Sequence, residues 1–478
     1  MIILGTNSIK DTGYNVANSL RFNDGSSDYL TKTASAGDRR QTTISVWVKR
    51  GTLGSAQKIY NHYNSTNSEF TFYFDSNDKF NVNSYESGHQ LLLTTNRLFR
   101  DVSAWYNIIC AIDTDQATDT NRAKIYVNGV QETSFATATY PSQNADLNLN
   151  RSTSYSDQIG RRGNGSQYFD GYLAEVVLID GLQLDATSFG EFDEDSGIWK
   201  PIDVSGLTFG NNGFYLDFEN SGALGNDAAG SNNFTVNNLT AIDQSTDTCT
   251  NNFATANPLA ISSGGTNNFS DGNLTIRGSD SHNTRYGSTF AMTSGKYYFE
   301  TKIKGSVTFG GGSIGIVDYD NFNINGSTGG ATPSGHVAVI DFNTNDGDSG
   351  LRFNNNDQRN NYAVTLNVND IIGHYVDMDN GFYYLAHNGT LVNSGDPTSG
   401  ANGTGNVNRT GNLSYDFSGK TMTIGGSIQS TDYFEVNFGS PSFAISSGNT
   451  DGNGYGNFEY AVPSGYYSLN TKNLAEYG

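Results

Sequence analysis

Carboxylates are the first residues in this sequence that could perform chemistry. Glu175, Glu300 and Glu435 each stand alone on a predicted strand, next to aromatic residues. A glycosidase needs two carboxyl groups flanking one glycosidic bond, and a pattern such as Glu-x-Asp-x-x-Glu on one apolar strand is absent. The sequence also lacks a serine in a strand–turn–helix nucleophile elbow, a Walker loop and a His-Glu-x-x-His motif. We therefore predict a protein that is not an enzyme.

Metal binding is the second chemistry to consider. His374 and His387 flank one predicted hairpin, where we expect a structural cross-strand pair because no cysteine or third histidine lies nearby in the sequence. Residues 341–348 resemble an EF-hand loop, but the glycine falls one position late and the terminal glutamate is absent. A polar hairpin loop is the favoured interpretation of this segment, and calcium is the alternative and the one cofactor considered. The candidate calcium ligands are Asp341, Asn343, Asn345, Asp346 and Asp348.

Tyrosines offer a third chemistry, the stacking of aromatic rings on sugar rings. Tyr85, Tyr155 and Tyr168 lie in segments rich in asparagine and serine, where exposed rings are placed to bind carbohydrate. These three residues are the candidate ligand-binding residues. Packing in the core or at its rim is the competing interpretation for each ring.

Short β-strands must position these side chains. Asn-Gly pairs at 128–129 and 388–389 each separate two runs of aromatic and β-branched residues, and Asn-Gly is the strongest short signal for a hairpin with a type I′ turn. The 478 residues include 56 Gly, 28 Tyr, 28 Phe and only 7 Pro, which indicates many turns between short strands rather than disorder. The predicted fold class is all-β, with two antiparallel modules in series. Residues 185–200 carry the only helical pattern.

Charge and cysteine content limit the partners and the compartment. The formal net charge of −21 argues against nucleic-acid binding, which needs a basic surface. No apolar stretch approaches the ~20 residues that span a bilayer, and no signal peptide is visible, so neither membrane insertion nor export is predicted. Cys110 and Cys249 are predicted to be free thiols of a protein made in a reducing cytoplasm.

The first module resembles the laminin G/concanavalin A-like jelly roll. Three segments carry the resemblance in family order: 105–108 (WYNI), 125–129 (IYVNG) and 169–176 (FDGYLAEV). The resemblance spans roughly residues 19–185 and implies an antiparallel β-sandwich. It does not identify a ligand.

The second module resembles the SPRY (B30.2-like) β-sandwich. Five segments carry this resemblance: 295–300, 314–316, 369–380, 382–389 and 434–439. A long insertion rich in Asn, Gly, Ser and Thr at 393–412 departs from the family pattern, and because SPRY loops hold the partner site, no partner is carried over. We predict two tandem jelly-roll β-sandwich domains at 19–236 and 273–478, joined by a linker at 237–272 and preceded by an N-terminal arm at 1–18 that could attach the protein to a larger assembly.

Nearly the whole chain is similar to virion proteins of marine tailed bacteriophages. The similarity rests on the order of the two modules, the linker phrase at 250–259 and the ending at 465–474. It implies a non-enzymatic virion protein, made in the host cytoplasm, whose partners are other virion proteins and host-surface polysaccharide. A tail fibre, spike or similar appendage is the leading role, and a capsid decoration or head-fibre protein is the alternative. A secreted glycan-binding adhesin or glycosidase is the third hypothesis, and a homotrimer remains open.

Overall fold

The structure is a computed structural model that describes residues 13–152, 154–262, 267–278, 284–305, 312–320, 337–343, 350–355, 358–362, 364–411, 413–428 and 433–478. The chain divides into two compact units, Thr12–Thr250 and Asn251–Gly478. We call them the N-terminal unit and the C-terminal unit.

The N-terminal unit consists of short antiparallel strands. In chain order they are β1 (Ser19–Phe22), β2 (Tyr29–Thr33), β3 (Gln41–Arg50), β4 (Gln57–Ser65), β5 (Ser68–Phe74), β6 (Lys79–Glu86), β7 (His89–Leu98), β8 (Trp105–Asp113), β9 (Ala123–Val127), β10 (Val130–Glu132), β11 (Phe135–Thr139), β12 (Ser156–Ile159), β13 (Gly171–Asp180), β14 (Gly190–Phe192), β15 (Trp199–Pro201), β16 (Phe214–Leu216), β17 (Thr235–Asn237) and β18 (Gln244–Ser245).

Two large sheets enclose the core of this unit. Sheet A has the strand order β10-β9-β8-β3-β13-β1-β18, with β16 also paired to β13, and sheet B has the order β11-β7-β6-β5-β4-β12-β2-β17. Alternation along the strands explains the core: Ile44 and Val46 of sheet A and Phe70 and Phe72 of sheet B belong to one buried apolar cluster, because every second residue points to the same face.

The C-terminal unit repeats this architecture with different connections. Its strands are β19 (Ala256–Ile261), β20 (Asn267–Ser270), β21 (Thr275–Gly278), β22 (Thr284–Met292), β23 (Lys296–Ile303), β24 (Gly312–Asp318), β25 (Val337–Asn343), β26 (Gly350–Asn355), β27 (Gln358–Tyr362), β28 (Ile371–Asp377), β29 (Phe382–His387), β30 (Thr390–Leu391), β31 (Met422–Ile428), β32 (Tyr433–Asn437) and β33 (Tyr467–Ser468). One sheet has the order β19-β22-β31-β24-β25-β26-β27, and the other has β20-β21-β32-β23-β28-β29-β30 with β33 parallel to β23. The prediction of an all-β chain with antiparallel, jelly-roll-like sheets is confirmed.

Both Asn-Gly hairpins form as predicted. Asn128 and Gly129 have φ of 48° and 77°, and Asn388 and Gly389 have φ of 45° and 78°. Two consecutive positive φ angles define the type I′ turn, which joins β9 to β10 in one unit and β29 to β30 in the other. The local sequence therefore sets the register of both hairpins.

The helical prediction for 185–200 is wrong. Only Ala186–Ser188 form a single 3-10 turn, and β14 then pairs with β15. The indole ring of Trp199 packs so closely on Gly190 that a Cβ at position 190 would lie 2.5 Å from Trp199 Cζ2. This close packing of the ring on a glycine favours the hairpin over a helix. Among the described residues the one α-helix is α1 (Thr471–Tyr477), capped by the Asn470 side chain.

The predicted linker and arm contribute to the two units. β18 pairs with β1 in the N-terminal unit, and β19 pairs with β22 in the C-terminal unit, so residues 237–272 contain strands of both. From the predicted arm, Val16 is buried and donates its backbone N–H to Thr250 Oγ1 over 3.1 Å. The polar composition of residues 237–272 gives no sequence signal for these strands, because short edge strands need little apolar periodicity. Residues 1–12 lie outside the described part of the chain.

A buried ion pair holds the polar segment after β18 against sheet A. Lys49 Nζ lies 2.7 Å from Asp247 Oδ2, and each side chain is 1% exposed. Trp105 Nε1 donates to Asp247 Oδ1 over 3.1 Å. Breaking such a pair leaves a charge buried without its counterion, which costs more than the pair itself contributes.

Cys110 is buried and Cys249 is partly buried, and both are free thiols. In the part of the chain that the structure describes, no helix combines the length and the apolar character that a membrane crossing requires.

We expect Asp247→Ala to lower the free energy of unfolding of the N-terminal unit by about 3–5 kcal/mol, because Lys49 loses its buried counterion. Urea unfolding of the full chain, followed by tryptophan fluorescence, measures this selectively, since Trp47, Trp105 and Trp199 are the only tryptophans and all lie in that unit. The double variant Lys49→Met/Asp247→Leu is the control and should regain most of the loss. A cost below about 1 kcal/mol for Asp247→Ala would contradict the assignment.

Candidate functional site

The face of sheet B that points away from the core carries polar and aromatic side chains. On β5 the phenylalanines 70, 72 and 74 are buried in the core, so Glu69, Thr71 and Tyr73 lie on the opposite face. Strand register places three cross-strand rows there, which we call the polar face. The rows are Lys58, Tyr73, Asn81 and Thr94; then Asn61, Thr71, Asn83 and Leu92; then Tyr63, Glu69, Tyr85 and His89.

Three half-buried tyrosines mark the two ends of this face. Tyr73 lies in the first row, and Tyr63 and Tyr85 lie in the third. Four residues along a strand separate the outer rows, which is roughly 13 Å. Asn83 lies between them and pairs its Oδ1 with His89 Nδ1 over 2.8 Å. Aromatic rings flanking amide groups can stack on the apolar side of sugar rings while the amides bind hydroxyl groups.

The loop 161–168 covers one side of the polar face. Arg162 binds Glu69 through two guanidinium nitrogens, one of them Nε at 3.0 Å. The backbone N–H of Gly163 donates to Asn61 Oδ1 over 2.8 Å. A Cβ at Gly163 would lie 2.4 Å from Tyr63 Cδ1, so the glycine lets the loop lie flat on that ring. The loop and the strands therefore form one wall beside the tyrosines.

Lys58 is the least expected residue of the face. Its side chain is 5% exposed, and Nζ lies 3.0 Å from the centroid of the Tyr73 ring. Burial lowers the pKa of Lys58 to about 7, although nearby Glu69 acts in the opposite direction. Arg162 also lowers this pKa by charge repulsion. A buried amine that is part neutral near pH 7 is unusual on the outside of a sheet.

The predicted sugar-binding tyrosines occupy three different environments. Tyr85 lies on the polar face, with its ring 5.0 Å from that of His89. Tyr168 is half-buried beside Tyr29, and its hydroxyl lies 3.4 Å from Arg161 Nη1. Both residues belong to sheet B or the loop that covers it.

Tyr155 is placed apart from the other two. Its side chain is 6% exposed, and its ring stacks on His62 with 4.9 Å between centroids. The guanidinium of Arg151 lies 5.0 Å from the ring centroid, so little ring surface is left for a sugar. Tyr63 and Tyr73, which sequence reasoning missed, occupy the face instead; the alternation of β4 and β5 around buried phenylalanines was the signal that could have identified them.

The carboxylates considered for catalysis serve other purposes. Glu175 accepts a hydrogen bond from Tyr215 over 2.8 Å, and burial raises its pKa to about 8. Glu300 and Glu435 lie on the paired strands β23 and β32. The Glu300 side chain is fully buried, and its Oε1 accepts hydrogen bonds from the Tyr298 hydroxyl and the Tyr460 backbone N–H, each at 2.9 Å. Glu300 therefore anchors the segment that covers it.

The two candidate histidines lie in separate environments, and the calcium candidates lie only partly within the described residues. His374 is buried, stacks on Phe299 and lies 2.6 Å from the Tyr383 hydroxyl, while His387 lies 2.8 Å from Asp370. The expected histidine pair is therefore wrong, since each ring has its own partner. Among the calcium candidates, Asp341 and Asn343 end strand β25; Asn345, Asp346 and Asp348 lie outside the described residues. Within the described residues no three potential ligands group to hold a metal.

We expect the Lys58 amine to make the stability of the N-terminal unit depend on pH. Its folded pKa lies below the ordinary value, so between pH 7 and about 10.4 the unfolded chain holds more protons and stability rises with pH. Lys58→Met should remove this rise, which amounts to about 5 kcal/mol at most. Urea titrations by tryptophan fluorescence at pH 7 and pH 9 measure the difference between the two proteins. A difference that does not change with pH would contradict the low pKa.

Comparisons with known proteins support the fold of the N-terminal unit. Residues 24–183 match the family model described as the concanavalin A-like lectin/glucanases superfamily. No curated protein matches the chain.

Three solved structures are distantly similar to the chain. A candidate carbohydrate-binding protein of Bacteroides ovatus is 16% identical, with a TM-score of 0.34, and the alignment covers 47% of this chain and 59% of that one. Domains LG4-5 of the mouse laminin alpha1 chain are 11% identical, with a TM-score of 0.29 and coverage of 97% and 100%. The SPRY domain of human HERC1 is 12% identical, with a TM-score of 0.26 and coverage of 38% and 96%. From the family match and the sheet topology, residues 24–183 form a laminin G/concanavalin A-like jelly-roll domain.

Proposed function

We propose that the polar face of sheet B binds a glycan chain and does not cleave it. The observation that carries the proposal is the placement of three half-buried tyrosines, Tyr63, Tyr73 and Tyr85, at the two ends of a face lined with amide and hydroxyl groups. The span of roughly 13 Å between the outer rows suits an extended ligand better than a single compact molecule. The match of this domain to a superfamily named for lectins and glucanases supports the same function.

The polar face has a single carboxylate, Glu69, whose oxygens are already hydrogen-bonded, and this favours glycan binding over cleavage. Glu69 is the one carboxylic acid in the three described rows, and it is held by Arg162 and by Asn61 Nδ2 at 3.1 Å. A two-carboxylate mechanism needs a second acid placed across the glycosidic bond. The rows supply none, so the face can hold a sugar chain but offers no acid and base pair.

We further propose that the protein is a bacteriophage virion component. The order of the two β-sandwich modules and the short phrases at 250–259 and 465–474 support this role through resemblance. In a tail fibre, spike or similar appendage, many copies would each bind host-surface polysaccharide weakly and gain avidity together. A capsid decoration or head-fibre protein is the second candidate, and assembly as a homotrimer belongs to the same proposal.

Glycan binding can be tested with the full chain on a glycan array. We expect Tyr73→Ala and Tyr85→Ala each to weaken binding about tenfold, because a stacked ring contributes up to ~1.5 kcal/mol. Tyr319→Ala is a matched control, since Tyr319 is exposed in the C-terminal unit. A silent array, or equal losses in all three variants, would contradict a glycan site on the polar face.

Location on a particle tests the virion proposal independently. An antibody against the full chain, imaged on purified phage particles by electron microscopy, should label the tail for an appendage. Even labelling of the head would instead support decoration of the capsid. Absence of label from intact particles, in a lysate that contains the protein, would count against both roles.

A further inference from the structure

The ammonium group of Lys58 has no counterion among the described residues. No carboxylate lies within ion-pair distance of Nζ there, and the Tyr73 ring is its closest aromatic contact at 3.0 Å. The side chain is only 5% exposed. Buried charges in proteins are normally paired or hydrogen-bonded, because leaving water is costly. This cation is also unusual in a chain whose net charge is −21.

The nearest carboxylate is not available to Lys58. Both oxygens of Glu69 are bound by Arg162, and Oε2 also accepts a hydrogen bond from Asn61. The bidentate Arg–carboxylate geometry is strong and directional. Glu69 therefore neutralises Arg162, while the ammonium form of Lys58 has no carboxylate of its own among the described residues.

We propose that Lys58 forms an anion subsite of the polar face, so that the glycan bound there is acidic. The Lys58 ammonium would pair with a carboxylate or sulfate of the sugar chain. This inference rests on the proposed glycan-binding function and adds the chemical class of the ligand. Neutral polysaccharides would leave the ammonium group without a counterion and would bind more weakly.

The proton equilibrium of Lys58 supplies a signature of such binding. Because burial holds its pKa near 7, a bound anion would stabilise the ammonium form and draw a proton from solution. The charged and titratable groups around it are Glu69 and Tyr73 from β5 and Arg162 from the covering loop. Affinity for an acidic glycan should therefore fall as pH rises from 6.5 to 8.5, whereas affinity for its neutral parent should not.

The experiment uses the full chain and a glycan array that carries each acidic oligosaccharide beside its neutral parent. The probes are uronate, sialylated and sulfated oligosaccharides, with uronate methyl esters as matched neutral forms. We expect wild-type protein to bind at least one acidic probe tenfold or more tightly than its parent. Lys58→Met should abolish that preference, and Lys124→Met on β9 of sheet A should retain it. Tryptophan fluorescence verifies that each variant is folded.

The possible results distinguish the anion subsite from glycan binding itself. Loss of the acidic preference in Lys58→Met supports the anion subsite, and the array identifies whether carboxylate or sulfate is the anion. Equal binding of acidic and neutral probes, or a preference that survives Lys58→Met, overturns the subsite but leaves glycan binding intact. An array without any bound probe overturns both.

Discussion

The two-residue period of strand β5 is the constraint on which the candidate site depends. Phe70, Phe72 and Phe74 are completely excluded from solvent, and burying each ring contributes of the order of 2–3 kcal/mol. A shift of one residue in register would exchange these rings for the polar side chains between them. The core therefore fixes which residues form the outer surface of sheet B. The set of residues on the polar face is fixed because the buried phenylalanines on the opposite face allow only one strand register.

Much of the fold could be predicted from local sequence, but less of the site could. The Asn-Gly turns and the alternation at Ile44 and Val46 are local signals, so strands and hairpins were correctly anticipated. The contacts of Lys58 were not, because they depend on which residue of another strand lies beside it. Arg162 and Glu69 are 93 residues apart, and no local pattern indicates their pairing. Of the three tyrosines chosen by composition, only Tyr85 lies in the rows of the polar face.

Polar residues conceal strands and buried side chains in the segment predicted to be a linker. The segment after β17 has a linker-like composition, yet Asp247 is as buried as the core. Its partner Lys49 lies 198 positions away. A sequence pattern can indicate that a residue is charged, but the burial of that charge follows only from a distant counterion. The same reasoning explains why Trp199, which packs on glycines, produced a hairpin where periodicity indicated a helix.

The order of strands in the N-terminal unit has a consequence for crowded arrangements of the protein. Sheet A ends on strands of three and two residues, β10 and β18, and sheet B ends on β11 and β17, with five and three residues. Short terminal strands present few unpaired backbone groups to a neighbour. Many copies could therefore be concentrated side by side without adding their sheets to one another and aggregating.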